Sequence, residues 1–322
     1  MTRSVGLLLG LALLSGCARY QGTVEEISFV THDGVLLHGS LVFPANHVGT
    51  VAVVLHGAEA ATRSLAYRMH ANVLLKRGVA VLLYDKRGAG ESGGDHDTAT
   101  YADLIEDALS AIRWLRSRAD IGASSIGLVG TSESGWFTPE IAERAGDMAF
   151  VFNKVGSCLT WRETNAWEIH NELLAAGVDP AAAWAQVDVF RALWAHYMSP
   201  TAEGKVAMAT RLQAWAGRSD TRLPPELRRV TAAYVQDISY SPEPYLERLE
   251  TPTLYVYGSD DVHIPTAWCV ERLAALQAAG RPVSFHIFAG EGHELGGIGL
   301  TGYQFAPGYA EMLGDFAARQ IR

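Results

Sequence analysis

Beyond residue 22 the chain alternates between short apolar runs and longer stretches of helical period. Residues 23–30 (TVEEISFV) and 34–43 (GVLLHGSLVF) are β-rich, and Asp33-Gly34 between them predicts an antiparallel hairpin. Residues 50–56 (TVAVVLH) make a wholly apolar run bounded by glycine, as expected for a strand buried on both faces of a parallel sheet. A helix over about 65–77, a strand over 79–84 and a helix over about 101–118 follow, the last with Leu104, Ala108, Ile112 and Leu115 on one face. Then come a strand at 125–129, a sharp turn into a helix, and a strand at 149–155. The period changes there. From 158 to 249 the pattern holds helical stretches, such as 180–197, and no buried strand, and it carries Trp161, Trp167, Trp184, Trp194 and Trp215. Alternation resumes with a strand at 252–257, a helix over about 267–279, a strand at 283–288 and a helix over about 309–322. Strand after helix after strand implies an α/β protein with a doubly wound, mostly parallel sheet and right-handed crossovers. The core is assigned to 23–157 and 250–322, and 158–249 to a helical cap or lid inserted into it.

Length and composition narrow the function. At 322 residues, 48% apolar and 19% charged, the chain has the make-up of one large globular domain with an insertion, not of a disordered chain. A formal charge of −9 with no basic cluster excludes nucleic acid as a partner, because phosphate binding needs a basic face. Three cysteines, none in a CxxC or Cys/His pair, make neither a disulfide framework nor a zinc site.

The first of those cysteines has another role. Arg3 precedes an unbroken apolar run from 5 to 14, too short to span a bilayer as a permanent helix but of the length of a signal-peptide core. Leu14-Ser15-Gly16-Cys17 closes that run and resembles the bacterial lipobox. The resemblance implies cleavage after residue 16, lipidation of Cys17, a tether over 17–22, and a mature protein anchored to a membrane of the cell envelope, outside the cytoplasm. Arg3 is the one charged residue removed, which leaves a formal charge of −10.

Chemistry concentrates in Gly130-Thr131-Ser132-Glu133-Ser134-Gly135, directly after the apolar run at 125–129. A strand that ends in a tight turn with a serine at its apex, flanked by small residues two positions either side, holds a hydroxyl out as a nucleophile. A serine at neutral pH also needs a base, and the base needs an acid to fix its tautomer. Loops at the carboxyl ends of later strands offer both: Asp260-Asp261-Val262-His263 after the strand at 252–257, and Gly290-Glu291-Gly292-His293 after that at 283–288. Two backbone N–H donors should hold a developing oxyanion. They are assigned to Glu133, after the nucleophile, and to Ala58, after the strand that ends in His56-Gly57.

Together, His56-Gly57, Tyr84-Asp85-Lys86-Arg87-Gly88-Ala89-Gly90-Glu91-Ser92, the turn at Ser132, the loop from Gly258 to Pro265 and Gly292-His293 resemble the α/β-hydrolase superfamily in type and order, over nearly everything after residue 22. Ser132-Glu133-Ser134-Gly135-Trp136 with Pro139 is similar to the branch of serine esterases and acyl-thioester hydrolases related to dienelactone hydrolases. The resemblance implies a Ser132, Asp261, His293 triad, with the spacing of Gly258 and Pro265 selecting Asp261 over Asp260. It implies cleavage of esters or thioesters through an acyl-enzyme, with no cofactor and no metal, on a small-molecule substrate with an apolar acyl or aryl group beneath an aromatic lid. A peptidase or amidase of the same fold, or a binding protein that has lost catalysis, are the alternatives. Fluorophosphonate labelling separates the last from the others. Substrate and oligomeric state are not legible.

Two departures from the family pattern carry expectations. Ser134 stands where glycine is usual, and should cost close packing behind the turn. Glu59 stands beside the oxyanion loop and either faces away or meets a positive substrate group. Other motifs take structural readings. Gly88-Ala89-Gly90-Glu91-Ser92-Gly93 is a literal GxGxxG, but it neither opens the domain nor starts a helix, so it reads as a turn braced by Asp85 and Arg87. Asp95-His96-Asp97 reads as a solvated loop, His263 as a surface or pocket-rim residue, and His286 as a satisfied core histidine. Cys158 and Cys269 read as buried thiols that an oxidising compartment could join.

Overall fold

A computed structural model describes residues 19–47, 49–121, 125–216, 236–299 and 302–320; residues 1–16, expected to be a signal segment, and Cys17 lie outside them. Strand β1 (Thr23–Val30) pairs antiparallel with β2 (Leu36–Phe43) through a turn in which Gly34 has φ +85°. Strands β3 (Val51–Val54), β4 (Ala80–Tyr84), β5 (Ile126–Thr131), β6 (Phe150–Lys154), β7 (Thr253–Gly258) and β8 (Val283–Phe288) complete one eight-stranded sheet. Its order is β1-β2-β4-β3-β5-β6-β7-β8, antiparallel up to the β2/β4 pair and parallel from β4 onward. The four residues of β3 are fully buried, as their unbroken apolar run requires of a strand covered on both faces.

Helices cover both faces. One core joins the sheet to α2 (Tyr101–Ser117) and α3 (Glu133–Ala145), the other to α1 (Leu65–Leu75), α7 (Thr266–Ala278) and α8 (Tyr309–Arg319). The start of α2 is fixed by a capping box, in which Thr100 accepts from the Asp103 N–H and Asp103 accepts from that of Thr100. Between β6 and β7 stand α4 (Trp161–Ala175), α5 (Pro180–Met198) and α6 (Ala202–Ala216). A second capping box, Thr160 with Glu163, starts α4, and Asp179 before Pro180 starts α5. Trp161 and Trp194 pack edge to face at 5.4 Å inside the core shared with α2 and α3, so these two tryptophans are packing residues. The side chain of Trp215 lies outside the described residues.

Three differences from the sequence reading have plain causes. The hairpin of β9 (Gly296–Gly299) and β10 (Gly302–Phe305) is not legible, since glycine-rich GGIG carries no β pattern. His286 is exposed, not a core residue, because β8 is the edge strand of the sheet. Residues 19–22, read as a tether, dock on α1: Asn72 Nδ2 donates to the Arg19 carbonyl at 2.9 Å, and Asn72 Oδ1 accepts from Gln21 N–H at 2.8 Å.

Candidate active site

Strand β5 ends in the turn that the sequence singles out. Ser132 sits there at φ 52°, ψ −114°, a conformation side chains avoid, and its N–H donates to the Lys154 carbonyl at 2.9 Å. The surrounding structure enforces that strain. Ser134 does not weaken the packing, contrary to expectation: its buried hydroxyl accepts from the Thr131 N–H at 2.7 Å and donates to the Thr131 carbonyl at 3.1 Å, closing the turn. Close approach falls instead to Gly135, where a Cβ would stand 2.4 Å from the Gly156 Cα. One turn on, Pro139 cannot donate to the Gly135 carbonyl, and the Thr138 hydroxyl does so at 3.2 Å.

Three side chains from three loops meet at this turn. Ser132 Oγ lies 2.9 Å from His293 Nε2, and His293 Nδ1 lies 2.9 Å from Asp261 Oδ2. The Asp261 side chain is fully buried, and its other oxygen accepts the N–H groups of His263 at 2.8 Å and Ile264 at 3.0 Å. A carboxylate held this way accepts a hydrogen bond from His293 Nδ1–H, which keeps the proton on Nδ1 and leaves Nε2 as an acceptor for the serine hydroxyl. Asp260 turns outward and accepts the Ser259 hydroxyl at 2.6 Å.

Ala58 and Glu133 donate their backbone N–H to no acceptor among the described residues. Gly57 adjoins the serine, since a Cβ on it would lie 3.7 Å from Ser132 Cβ. The same Cβ would lie 2.9 Å from Glu59 Oε2, so Glu59, though exposed, folds its carboxylate back against Gly57. Its other oxygen accepts the Tyr67 hydroxyl at 2.8 Å, and that hydroxyl accepts the Gly57 N–H at 2.9 Å. Partial burial pushes the Glu59 carboxyl up, but the bonds it accepts, from its own N–H and from Tyr67, hold it below the usual range.

Sequence reasoning missed Lys86 and Lys154. Lys86 Nζ donates to Glu133 Oε2 at 2.6 Å and to the Gly57 carbonyl at 2.9 Å. Burial pushes the Glu133 carboxyl up, and the Lys86 ammonium pulls it back. Lys154, at the end of β6, is buried 3.8 Å from Glu294, and that burial lowers its pKa. A lysine between Asp85 and Arg87 reads only as part of the turn those two residues brace, so the fold alone reveals its direction. The neighbours of Lys86 match their reading: Arg87 pairs with Asp107 and Asp33, while Asp85 accepts the N–H groups of Arg63 and Glu91. Asp95 closes an Asx turn onto the Asp97 N–H.

His263 is half-buried, its ring 5.0 Å from that of His293 and its Nδ1 2.6 Å from Glu168 on α4; this carboxylate raises its pKa. Asn171 of α4 donates to the Val262 carbonyl at 2.7 Å, so the inserted helix is fastened to the Asp261 loop twice. Trp167 and Trp268 meet at 5.4 Å, joining the insertion to α7. Cys158 and Cys269 are buried, free thiols, with Cys158 Sγ 3.4 Å from the Cys269 carbonyl. Among the described residues no group of three His, Cys, Asp or Glu side chains is disposed to hold a metal. A polar groove of about 1020 Å³ is lined by Arg19, Glu26, Arg63 and Arg68 among others, and not by Ser132, Asp261 or His293.

Comparison with known proteins agrees with this architecture. Among curated proteins, thiohydrolase aneE of Aspergillus aculeatus is 36% identical over 114 residues, 35% of this chain and 35% of that one, so the match spans about a third of the relative's length. The structure of the Pyrococcus furiosus esterase Pf2001 superposes with a TM-score of 0.60 at 16% identity, covering 94% of this chain and 92% of that one. The α/β hydrolase GrgF from Penicillium sp. sh18 gives 0.59 at 19%, covering 93% and 99%. At those identities the likeness shows the fold, which is that of the α/β hydrolases. The model of the X-Pro dipeptidyl-peptidase (S15) family matches residues 33–293, most of the core with the insertion, and the chain belongs to that family of hydrolases.

Proposed function

We propose that this protein is a serine hydrolase that cleaves carboxylic esters or thioesters through a covalent acyl-enzyme. The observation that carries the reading is the unbroken chain from Ser132 Oγ to His293 to buried Asp261, with 2.9 Å at each step. Ser132 Oγ attacks the substrate carbonyl as its proton passes to His293 Nε2, and the Ala58 and Glu133 N–H groups hold the oxyanion. On collapse, the bond to the alcohol or thiol breaks and His293 protonates the leaving atom. Water then attacks the acyl-enzyme with His293 again as base, which releases the acid and restores the serine. The thiohydrolase among the relatives favours a thioester; the family, described by a dipeptidyl-peptidase, favours an amide as the second reading. A fluorophosphonate should label the protein at Ser132, and a panel of p-nitrophenyl esters, acyl thioesters and aminoacyl anilides ranks the readings by kcat/KM. Failure to label would remove the serine reading.

Substrate charge should matter. An ionised Glu59 beside the serine opposes a developing oxyanion, whereas a cationic substrate group offsets it. Glu59→Gln keeps an acceptor for Tyr67 and removes the charge. It should raise kcat/KM on neutral esters about threefold to tenfold and lower it on esters with an ammonium near the carbonyl. Equal changes on both would leave Glu59 as a brace for the loop alone.

The insertion over 158–249 is proposed as a lid that selects an apolar acyl or aryl group, with half-buried Trp167 facing Trp268 as its aromatic contact. The lipobox-like run motivates a lipid on Cys17 and a place in the cell envelope, and the docking of Arg19 and Gln21 on Asn72 would then hold the domain close to the bilayer. Cys17→Ser should release the protein in soluble form or block its processing. Normal maturation with membrane fractionation would overturn the anchor.

A further inference from the structure

We infer that Lys86 is a positioning residue for the oxyanion hole, aiming and polarising the Ala58 N–H through the peptide it grips. The inference rests on the serine-hydrolase reading. Lys86 leaves β4 with its side chain buried, 6% exposed, and its Nζ bonds the two segments that flank Ser132. On one side it donates to Glu133 Oε2 at 2.6 Å, anchoring the first residue of α3. On the other it donates to the Gly57 carbonyl at 2.9 Å and approaches the Glu59 carbonyl at 3.5 Å.

Peptide geometry turns the first of those carbonyl contacts into a constraint on catalysis. The Gly57 carbonyl and the Ala58 N–H belong to one planar trans peptide, so they point in opposite directions. An ammonium holding the oxygen therefore fixes where the N–H points. It also draws electron density toward the oxygen, which makes the N–H a stronger donor, since hydrogen bonds in series polarise one another. The Gly57 N–H is fixed as well, by Tyr67, so the peptides on either side of Gly57 are both held. Being a fixed cation, Lys86 also offsets the charge of Glu59 when a second negative charge forms on the substrate.

The rival explanation is that Lys86 only neutralises the buried Glu133 carboxylate. Lys86→Met alone would not separate the two, because it strands that carboxylate. Lys86→Met with Glu133→Gln removes the pair together, and its melting temperature should return close to that of the wild type. The double variant should still lose about 100-fold in kcat, the scale of losing one oxyanion donor, with KM within threefold. Affinity for an aryl trifluoromethyl ketone, whose hemiketal oxygen occupies the oxyanion position, should fall in proportion to kcat. Should the double variant not fold, Lys86→Gln with Glu133→Gln replaces the ion pair by two neutral amides and tests the charge without stranding a carboxylate: a tenfold or greater loss in kcat and ketone affinity upholds the inference. Wild-type kcat and ketone affinity in the folded variant would overturn it. Ser132→Ala, run alongside, isolates the cause: if that variant turns over normally, the serine reading has failed and Lys86 with it.

Discussion

Ser132→Ala and His293→Ala should each lower kcat by roughly 10⁵- to 10⁶-fold, and the two together by little more. The serine contributes the atom that attacks and the histidine removes that atom's proton, so either loss disables the same step. With Ser132 Oγ 2.9 Å from His293 Nε2, no other described base is hydrogen-bonded to that hydroxyl. Residual turnover would come from substrate binding and the two backbone donors. Steady-state kinetics on the best ester, with a pre-steady-state burst to count acylated sites, checks this. A Ser132→Ala protein retaining more than about one hundredth of wild-type kcat would show that the nucleophile lies elsewhere.

The strand pattern was legible because burial on two faces demands apolar residues at every position, as in β3 and β4. Chain order likewise located the loops that bring Ser132, Asp261 and His293 together, since parallel strands place their carboxyl ends on one side of a sheet. Direction was not legible. Whether Glu59 folds back against Gly57 or extends away depends on the Tyr67 hydroxyl eight residues on, which sits on α1 and carries no local signal. Lys86 is similar: its acceptors, Gly57 and Glu133, lie 29 and 47 residues away in the chain. Ser134 shows the converse error. A missing glycine read as lost packing, whereas its hydroxyl closes the turn and the next residue, Gly135, provides the close contact.

Neighbouring aspartates offer the sharpest test of the acid. Asp261→Asn should lower kcat about 10⁴-fold, while Asp260→Asn should stay within threefold of the wild type. An asparagine at 261 can still accept the His263 and Ile264 N–H groups, so the loop keeps its shape. What changes is the group facing His293 Nδ1: an amide nitrogen donates where a carboxylate oxygen accepts. His293 must then carry its proton on Nε2, the atom that has to take one from Ser132, and no charge remains to stabilise the imidazolium as it forms. Asp260 reaches no part of this chain, since its carboxylate accepts the Ser259 hydroxyl and faces solvent. Measuring kcat and melting temperature for both variants side by side separates chemistry from folding. Collapse of turnover in Asp260→Asn with activity kept in Asp261→Asn would move the acid by one residue, and activity kept in both would move it to another loop.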